Sequence, residues 1–237
     1  MKLNTEFMRE VFISSLGGVP PTLKLTFITL LVSLPIAFLM AQSRAEKRNI
    51  SGKIITAYVS VIRGTPVVLQ ILFLYSLLPS FLNYFIKSVL HLDFNIFKVN
   101  PVLYAFIVFI LNNTAVLSEV FRSSLMTVNH GQMEAALSIG LSKRQAYVRI
   151  IIPQTLVAAL PNICNSTVSL LKSTSLAFMM SVQDITAIAK VRAANGYNYI
   201  EAYLVIAVIY IIVCTSVQIL FNIIEARLSS YKKLISN

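Results

Sequence analysis

The chain has 237 residues, of which 57% are hydrophobic and 12% are charged, and its mean hydropathy is +0.76. Soluble domains carry about 25% charged residues, so this composition excludes an ordinary soluble domain and predicts an integral membrane protein. The net charge of +11 comes from lysines and arginines scattered among short polar segments. Because they form no basic face, we interpret them as contacts for anionic lipid and as topology signals, not as a nucleic-acid site.

Known catalytic patterns are missing from the sequence. It contains no Walker A, Gly-x-Ser-x-Gly, His-Glu-x-x-His or paired zinc motif. The two histidines, His91 and His130, are isolated, and we interpret His91 as a surface loop residue and His130 as part of a helix-capping segment. Both cysteines, Cys164 and Cys214, fall inside apolar runs, which argues against a disulfide or a metal site. We therefore expect neither catalysis nor a bound metal.

Five apolar segments are long enough to cross a bilayer at about twenty residues per span. They cover residues 21–41, 66–86, 101–121, 150–182 and 202–224. We predict an all-α membrane protein in which residues 1–237 form one domain. The second segment extends back to Ile54, and we place Arg63 and Gly64 near the inner interface with Pro66 opening the span. That placement keeps Arg63 out of hydrocarbon, and a strongly tilted helix is the alternative. Pro153 and Pro161 are expected to kink the long fourth segment.

Near the end of the third segment, Glu119 stands three residues before Arg122. We favour a local ion pair over contact with a substrate ammonium group. Asn112, Asn113 and Thr114 precede this pair and are candidates to line a path. For Arg63 two roles remain open, which are pairing with lipid phosphate and capping of backbone carbonyls freed by Gly64 and Pro66.

A polar loop over residues 129–149 separates the third and fourth segments. Asn129 and Gln132 have capping-box spacing, which predicts a short helix that Gly140 ends. Ser142 and Gln145 repeat the spacing and predict a second helix, which carries Lys143, Arg144 and Arg149 into the membrane. The small alanines of the first helix would let another protein pack closely against it.

One face of the fourth segment is polar. Its members, at helical spacing, are Asn162, Asn165, Ser166, Ser169, Lys172 and Ser173. Such a stripe must face another helix or a water-filled path, because exposure to lipid is costly. Lys172 either lines a substrate path, where a substrate carboxylate would suit it, or forms a structural ion pair. A second stripe of Cys214, Gln218 and Asn222 on the fifth segment is interpreted as helix–helix contact.

Orientation follows from the distribution of lysine and arginine. Eleven lie on one side, namely Arg44, Lys47, Arg48, Lys53, Arg122, Lys143, Arg144, Arg149, Arg227, Lys232 and Lys233. Seven lie on the other, namely Lys2, Arg9, Lys24, Lys87, Lys98, Lys190 and Arg192. The bias predicts that the N-terminus is outside and that the C-terminus and the 129–149 loop are cytoplasmic. Lys87, Asp93 and Lys98 then lie in an external loop that either contacts an external partner or is simply solvated.

The 129–149 loop and its surroundings resemble a known family. Its motif residues are Glu134, Ala135, Ala136, Gly140, Ile150, Ile152 and Pro153. Their pattern resembles the cytoplasmic loop of ATP-binding cassette (ABC) importer permeases, with Ile152 where leucine is commoner. Further segments resemble the polar amino acid branch of that family, namely Arg63-Gly64-Thr65-Pro66 with Gln70, Glu119, Gly131-Gln132 and the run from Lys172 to Leu176.

This resemblance implies the type I importer (MetI-like) permease fold and a transport role in a bacterial cell membrane. It implies that the short helix, with Gly131 and Gln132, is a coupling helix seated on a separate ATPase, which would bind the ATP and magnesium. Two ATPase copies, a second permease (identical or homologous) and an external binding protein are the expected partners. The expected substrate is a polar amino acid, and we lean toward cystine. A membrane scaffold or sensor that recruits a partner through the Glu134 loop is the alternative.

Overall fold

The computed structural model describes residues 3–45, 50–91, 94, 96–129 and 131–235, with side chains excluded at position 45 and from 229 onward. The described residues form helices joined by turns and contain no strand. Their α-helices are α1 Thr5–Leu16, α2 Val19–Ala45, α3 Ile50–Gly64, α4 Val67–Ser88, α5 Pro101–Thr127, α6 Gly131–Ser138, α7 Lys143–Ala146, α8 Ile152–Ser173, α9 Ile185–Ala194 and α10 Tyr199–Ile235. A π-helical turn, Tyr147–Ile151, joins α7 to α8, and a 3-10 segment, Thr174–Met180, continues α8.

Five helical stretches in the described residues are long and apolar enough to cross a membrane, as predicted. They are Val19–Arg44, Val67–Ser88, Pro101–Thr127, Lys143–Met180 and Tyr199–Leu228. The second begins directly after Pro66, the residue that we expected to open it. The fourth is a single long helical stretch because α7, the π turn, α8 and the 3-10 segment follow one another without a break.

Helix α5 lies at the centre of the bundle and contacts α2, α3, α4 and α8. Its buried face includes Ala105, Phe109 and Leu117, each at most 1% exposed. The buried side of α2 carries small polar residues at helical spacing, namely Thr22, Thr26, Thr29 and Ser33, all at most 4% exposed. The hydroxyls of Thr22 and Thr26 donate to carbonyls four residues earlier in their own helix. Small side chains allow close helix packing. These bonds satisfy the buried Thr22 and Thr26 hydroxyls, whereas the Thr29 hydroxyl has no hydrogen-bond partner among the described residues.

Two short helices were not predicted. Helix α1 packs against α9 and α10, and Val11 and Ile185 are fully or almost fully buried in that contact. Gly18, between α1 and α2, lies so close to α9 that an added Cβ would come within 2.4 Å of the Ile185 amide nitrogen. Apolar residues in α1 are interrupted by Glu6, Arg9 and Glu10, which mask the pattern that a buried helix normally shows.

Asp184, at the start of α9, is a fully buried carboxylate that sequence analysis also missed. It is the N-cap of α9, where its Oδ1 accepts from the Ala187 amide at 2.7 Å. The hydroxyl of Tyr210 on α10 lies 3.4 Å from the other carboxylate oxygen and donates to it. Burial raises the pKa of Asp184 from its ordinary value of 3.8 to about 6, against the opposing effect of these hydrogen bonds. The side chain therefore ties the end of the fourth span to α10 at an electrostatic cost.

We predict that Asp184→Asn increases stability at neutral pH, because asparagine keeps the cap without a buried charge. A folded-state pKa of about 6 means that the native chain binds more protons than the unfolded chain between roughly pH 4 and 6. The penalty for ionising Asp184 therefore grows as pH rises through that window and is complete above it. The advantage of the variant over wild type should be larger at pH 7.5 than at pH 5, by on the order of 1 kcal/mol.

Thermal melting of the detergent-solubilised protein at both pH values measures this difference. Glu6→Gln, which changes an exposed acid in α1, is the control and should shift neither curve. If Asp184→Asn changed the melting temperature by the same amount at both pH values, the raised pKa would not belong to Asp184.

Candidate functional site

The short helix α6 begins at Gly131, where the Asn129 side chain caps it. Asn129 Oδ1 accepts from the Gly131 amide at 2.9 Å, and the Asn129 carbonyl accepts from the Gln132 amide at 3.0 Å. Asn129 therefore caps the first turn of the helix, as predicted. Its side chain accepts from the Gly131 amide, whereas a capping box would have it accept from the Gln132 amide. Capping matters here because an eight-residue helix has little stability of its own.

Gly140 ends α6 in the left-handed conformation, with φ +86°. Its amide donates to the Leu137 carbonyl at 3.0 Å, and the Leu141 amide donates to the Ala136 carbonyl at 3.1 Å. These two bonds form a Schellman motif, which satisfies the last carbonyls of the helix. The predicted role of Gly140 as the helix stop is thus confirmed. A side chain at this φ would strain the backbone, although the space around the Cβ position is open.

One face of α6 packs on the rest of the protein, and the other is free. Ala136 is 2% exposed and Met133 is half-buried, and the helix contacts α7 and the π turn. The remaining motif positions on the helix and its end are exposed, namely Gly131, Gln132, Glu134, Ala135 and Gly140. Ile139 also projects, at 78% exposure. The result is a small exposed surface, which we call the α6 outer face, with one acid, one large apolar side chain and little bulk between them.

The helix that follows starts with the predicted capping box. Ser142 Oγ accepts from the Gln145 amide at 3.3 Å, and the Gln145 side chain accepts from the Ser142 amide at 2.9 Å. The motif residues Ile150 and Ile152 are half-buried, and Pro153 is exposed at the first turn of α8. Helix α6 therefore contacts the first part of the long helical stretch Lys143–Met180.

The residues 63–66 form an elbow between α3 and α4, and Gln70 holds it together. Pro66 has no N–H, so the Ile62 carbonyl loses the donor that a continuous helix would supply. Gln70 Nε2 replaces that donor at 2.7 Å and also lies 3.0 Å from the Thr65 carbonyl. Gln70 Oε1 accepts from Asn112 of α5 at 2.9 Å. Gln70, not Arg63, therefore satisfies the carbonyls freed by the elbow and fixes the elbow to α5.

Glu119 accepts hydrogen bonds from arginines on two helices. Arg122 of α5 donates Nε at 3.0 Å and forms a salt bridge through Nη2, as the predicted local pair. Arg44 of α2 donates Nη1 at 2.9 Å, and Arg63 of α3 approaches to 4.0 Å. Arg44 also donates Nε to Thr56 of α3 at 3.2 Å. We call Arg44, Arg63, Glu119 and Arg122 the arginine cluster, and it joins α2, α3 and α5.

The predicted polar stripe on the fourth span divides between two environments. Asn162, Asn165, Ser169 and Lys172 are exposed along one side of α8, and Ser173 is half-exposed beside them. Ser166 is only 9% exposed. Asn113, on α5, is 3% exposed and its amide nitrogen has no hydrogen-bond partner among the described residues. The four exposed residues form what we call the α8 polar face, which a single chain leaves uncovered.

Lys172 forms no salt bridge among the described residues, where all ion pairs involve Glu119. The carboxylate of Glu119 is engaged by the arginine cluster. On α10 the second predicted stripe is split, since Cys214 is 7% exposed while Gln218 and Asn222 are exposed. A role in contact between helices of one chain therefore suits Cys214 alone.

Other candidate positions are peripheral. His91 is exposed with φ 52°, and Lys87 and Lys98 are exposed near it. Asp93 and His130 lie outside the described residues, as do Lys2, Lys47 and Arg48, and the Lys232 and Lys233 side chains are outside them too. Cys164 and Cys214 are buried free thiols, and the described residues contain no group of His, Cys, Asp or Glu arranged to hold a metal.

Arg44 and Asn112 have site-building roles that sequence analysis did not assign. Arg44 was counted only as a topology signal, and Asn112 only as a possible lining residue. Both act through contacts with residues at least 42 positions away, Glu119 for Arg44 and Gln70 for Asn112. No local pattern signals such pairing.

Comparison with known proteins identifies the family. Residues 33–230 match the family described as binding-protein-dependent transport system inner membrane component. The chain belongs to this family of ABC transporter permeases. As a member of this family the chain is a multi-pass membrane transport subunit and not itself an enzyme. The resemblance stated from the motifs is thereby confirmed.

Its relatives include several amino-acid permeases. It is 31% identical to the Bacillus subtilis protein named "Probable amino-acid permease protein YxeN", over 96% of each chain. It is 32% identical to the L-cystine transport system permease protein TcyB of Bacillus subtilis, over 91% of this chain and 86% of that one.

Solved structures agree on the fold. An amino acid ABC transporter crystallised with histidines has a chain that superposes with a TM-score of 0.79 at 25% identity, covering 96% of this permease and all of that chain. A chain of the MetNI methionine ABC transporter superposes with a TM-score of 0.69 at 15% identity, covering 91% of this permease and 96% of that chain. The type I importer permease fold predicted from the sequence is thus confirmed.

We predict that Glu119→Gln destabilises this permease, because it leaves Arg44, whose side chain is 9% exposed, without its anion. Losing one partner of a buried pair costs about 3 kcal/mol, which corresponds to a fall of roughly 6–12 °C in melting temperature for a chain of this size. Glu134→Gln, which neutralises an exposed acid on α6, is the matched control and should melt with wild type. Arg122→Gln should have a smaller effect because Arg44 and Arg63 remain. Equal melting of Glu119→Gln and Glu134→Gln would contradict the structural role of the cluster.

Proposed function

We propose that this permease is the membrane subunit of an ATP-driven importer that moves an amino acid across a bacterial cytoplasmic membrane. The observation that carries the proposal is the position of α6. Its inner face rests on the π turn at the start of the fourth span, while its outer face, with Glu134, Ala135 and Ile139, is free. A free face on a capped helix suits a docking partner, and the contact beneath it connects that partner to the membrane helix.

The partner on the α6 outer face is an ABC ATPase, as membership of this family implies. Two ATPase copies are proposed, one on each permease, and they bind ATP and magnesium because the permease has no phosphate-binding loop. Closure of the ATPases on ATP would move each α6 and the fourth span attached to it. Rigid-body rotation of the two bundles would then alternate access to a path between them.

A second permease subunit, identical or homologous, is proposed to cover the α8 polar face. Asn162, Asn165, Ser169 and Lys172 are exposed in the single chain, and exposure of this face to lipid would be costly. Two such faces opposite one another would line an aqueous path. Asn113 and Ser166 are buried within the bundle and are better suited to holding helices together than to contacting substrate.

An amino acid is the proposed substrate, because relatives at 30% identity or more carry amino-acid permease names, and two of them are L-cystine permeases. Lys172 forms no salt bridge within the described part of the chain, so a substrate carboxylate is a suitable transient partner. We keep the lean toward cystine, with other polar amino acids as alternatives. An external binding protein would deliver the substrate.

The proposed orientation places the N-terminus outside and α6 in the cytoplasm, where ATP is available.

A membrane scaffold or sensor that recruits a partner through the Glu134 loop is the competing function. A scaffold has no need for the α8 polar face, so transport is favoured. Reconstitution with the ATPase and binding protein encoded beside this permease, followed by uptake assays over a panel of amino acids, tests the proposal. Partner binding without uptake of any substrate would support the scaffold.

Coupling is tested on the α6 outer face. Glu134→Lys reverses its exposed charge, and Gly140→Trp adds bulk and strains a backbone at φ +86°. Both variants are expected to insert normally but to lose ATPase copurification and at least about 90% of uptake, the effect of losing about 1.4 kcal/mol or more of docking free energy. Lys143→Glu, a charge reversal in the next helix, is the control and should act less strongly. Normal uptake by both α6 variants would remove the coupling assignment.

Orientation is tested with single cysteines at Ser138, the last residue of α6, and at Ser88, the last residue of α4, in a background without Cys164 and Cys214. Both serines are exposed. An impermeant thiol reagent applied to intact cells is expected to label position 88 and not position 138, because α6 is cytoplasmic in the proposed topology. Labelling of position 138 alone would reverse the topology.

The path is tested at Lys172. Lys172→Met should keep folded yield and ATPase copurification while reducing uptake at least about tenfold, because it removes a charge-assisted contact with the substrate. Lys172→Arg keeps the charge and should retain part of the uptake. Lys24→Met, which removes an exposed lysine from α2, is the control and should transport normally. Full uptake by Lys172→Met would exclude the lysine from the path, and a loss of folded yield would indicate a structural role.

A further inference from the structure

An apolar groove opens between α2, α3 and α5, with a cavity volume of about 330 Å³. Its lining includes Ile36 and Met40 of α2, Ile54 and Tyr58 of α3, and Ile110 and Leu111 of α5. The one phenol among them is already engaged, because Tyr58 donates its hydroxyl to the Leu111 carbonyl at 2.6 Å. Thr114 also lines the groove, but its hydroxyl oxygen is buried, so the accessible lining is almost wholly apolar and suits a hydrocarbon chain.

The arginine cluster stands at one end of this groove. Arg44 follows Met40 by one helical turn on α2, and Glu119 lies five residues, or about 7 Å, beyond Thr114, which also lines the groove. Glu119 is about 12 Å from the end of α5, which leads into α6. The cluster is therefore displaced from the groove toward the end of the bundle that carries α6.

The cluster has positive charge that the described residues do not neutralise. Three arginines face one carboxylate, which leaves an excess of two charges (3 − 1). Arg63 is the least engaged, since its side chain is 49% exposed and approaches Glu119 only to 4.0 Å. The other oxygen bonds of Glu119 go to Arg44 and Arg122. An exposed guanidinium group of this kind is suited to a phosphate oxygen.

Helix α3, which carries Arg63, has the features of a helix at the membrane interface. Its 15 residues span only about 22 Å, and it is not one of the five stretches long enough to cross a membrane. Ile50, Ile54 and Val61 are 63–75% exposed and recur on one side of the helix. A short helix with an exposed apolar side and basic residues is suited to the interface between lipid headgroups and acyl chains.

We propose that this site binds one anionic phospholipid, with its phosphate on Arg63 and the arginine cluster and an acyl chain in the α2–α3–α5 groove. An anion joined to a hydrocarbon is the one class of ligand that satisfies both parts of the site. The groove lies on the α2–α3 side of α5, whereas the polar face proposed to line the path is on α8, so the lipid is not cargo. In the proposed topology the lipid belongs to the cytoplasmic leaflet, which attracts basic groups through its anionic lipids. The bound lipid would hold α3 against α5. It would thereby support the elbow, which Gln70 fixes to α5.

The test is lipid retention by the full permease–ATPase complex, extracted from vesicles of equal phosphatidylglycerol and phosphatidylcholine and analysed by native mass spectrometry. Wild type should retain phosphatidylglycerol selectively. Arg63→Gln should reduce that selectivity about fivefold, the effect of one arginine near an anionic surface. Lys53→Gln, which removes an exposed cation from the same helix outside the cluster, should leave it unchanged. Ile54→Trp should reduce retention of both lipids by filling the groove.

Other arms separate alternative occupants. Inorganic phosphate and glycerol 3-phosphate are added to delipidated complex, and neither should restore the thermal stability that phosphatidylglycerol restores, because neither fills the groove. Restoration by phosphate alone would overturn the lipid assignment in favour of a simple anion site. Efficient disulfide formation between Ile54→Cys residues of two permeases would show that a second copy covers the groove, which also overturns it. Equal retention of both lipids by wild type would also overturn the lipid assignment. Wild-type selectivity in the Arg63→Gln variant would overturn it as well. Uptake is not a readout in any arm, so these outcomes are independent of the proposed transport function.

Discussion

The structure depends on one constraint: backbone groups exposed where a membrane helix breaks must find partners within the protein, since lipid offers none. The α3–α4 elbow shows how this is achieved. Pro66 removes an N–H from the helix, and Gln70 Nε2 supplies a donor to the orphaned Ile62 carbonyl at 2.7 Å. The same glutamine accepts from Asn112, so the repair of one helix break also positions α3 and α4 on the central helix α5. The family motif around residues 63–70 thus has a structural explanation, which its sequence pattern alone did not provide.

The charged groups around Glu119 must also find partners within the protein. The Glu119 carboxylate is only partly exposed, and Arg44 and Arg122 satisfy its oxygens from two helices. A buried ion pair adds little net stability, but it penalises any arrangement in which one partner is missing. The arginine cluster therefore specifies how α2, α3 and α5 meet. Its positive charge exceeds the negative charge that the described residues supply, and this excess beside an apolar groove is the feature that points to a lipid.

Helix α6 packs on one small part of the protein, which consists of α7 and the π turn. The helix is short, capped at both ends and packed by little more than Ala136 and Met133 on a π turn. π turns occur often at functional sites because their hydrogen bonds depart from the regular helical pattern. Motion of α6 on this support is compatible with a rigid bundle below it. The π turn that supports α6 and the α8 polar face lie on one continuous helical stretch, Lys143–Met180, which is the physical route proposed between an ATPase and a substrate path.

The sequence by itself determined the membrane class, the count of five spans and the ends of the α6 segment. These depend on local properties: the length of apolar runs, the φ available to Gly140, and the reach of Ser142 and Gln145 across a single turn. Tertiary structure alone decided which polar residues meet. It separated Asn113 and Ser166 from the exposed polar face, joined Arg44 to Glu119 across 75 positions, and buried Asp184 beneath Tyr210. Helix α1 was not predicted, because charged residues interrupt its apolar face and that face is recognisable only from its contacts with α9 and α10. Periodicity shows which residues share a face of one helix, but the environment of that face depends on neighbouring helices whose positions no local pattern encodes.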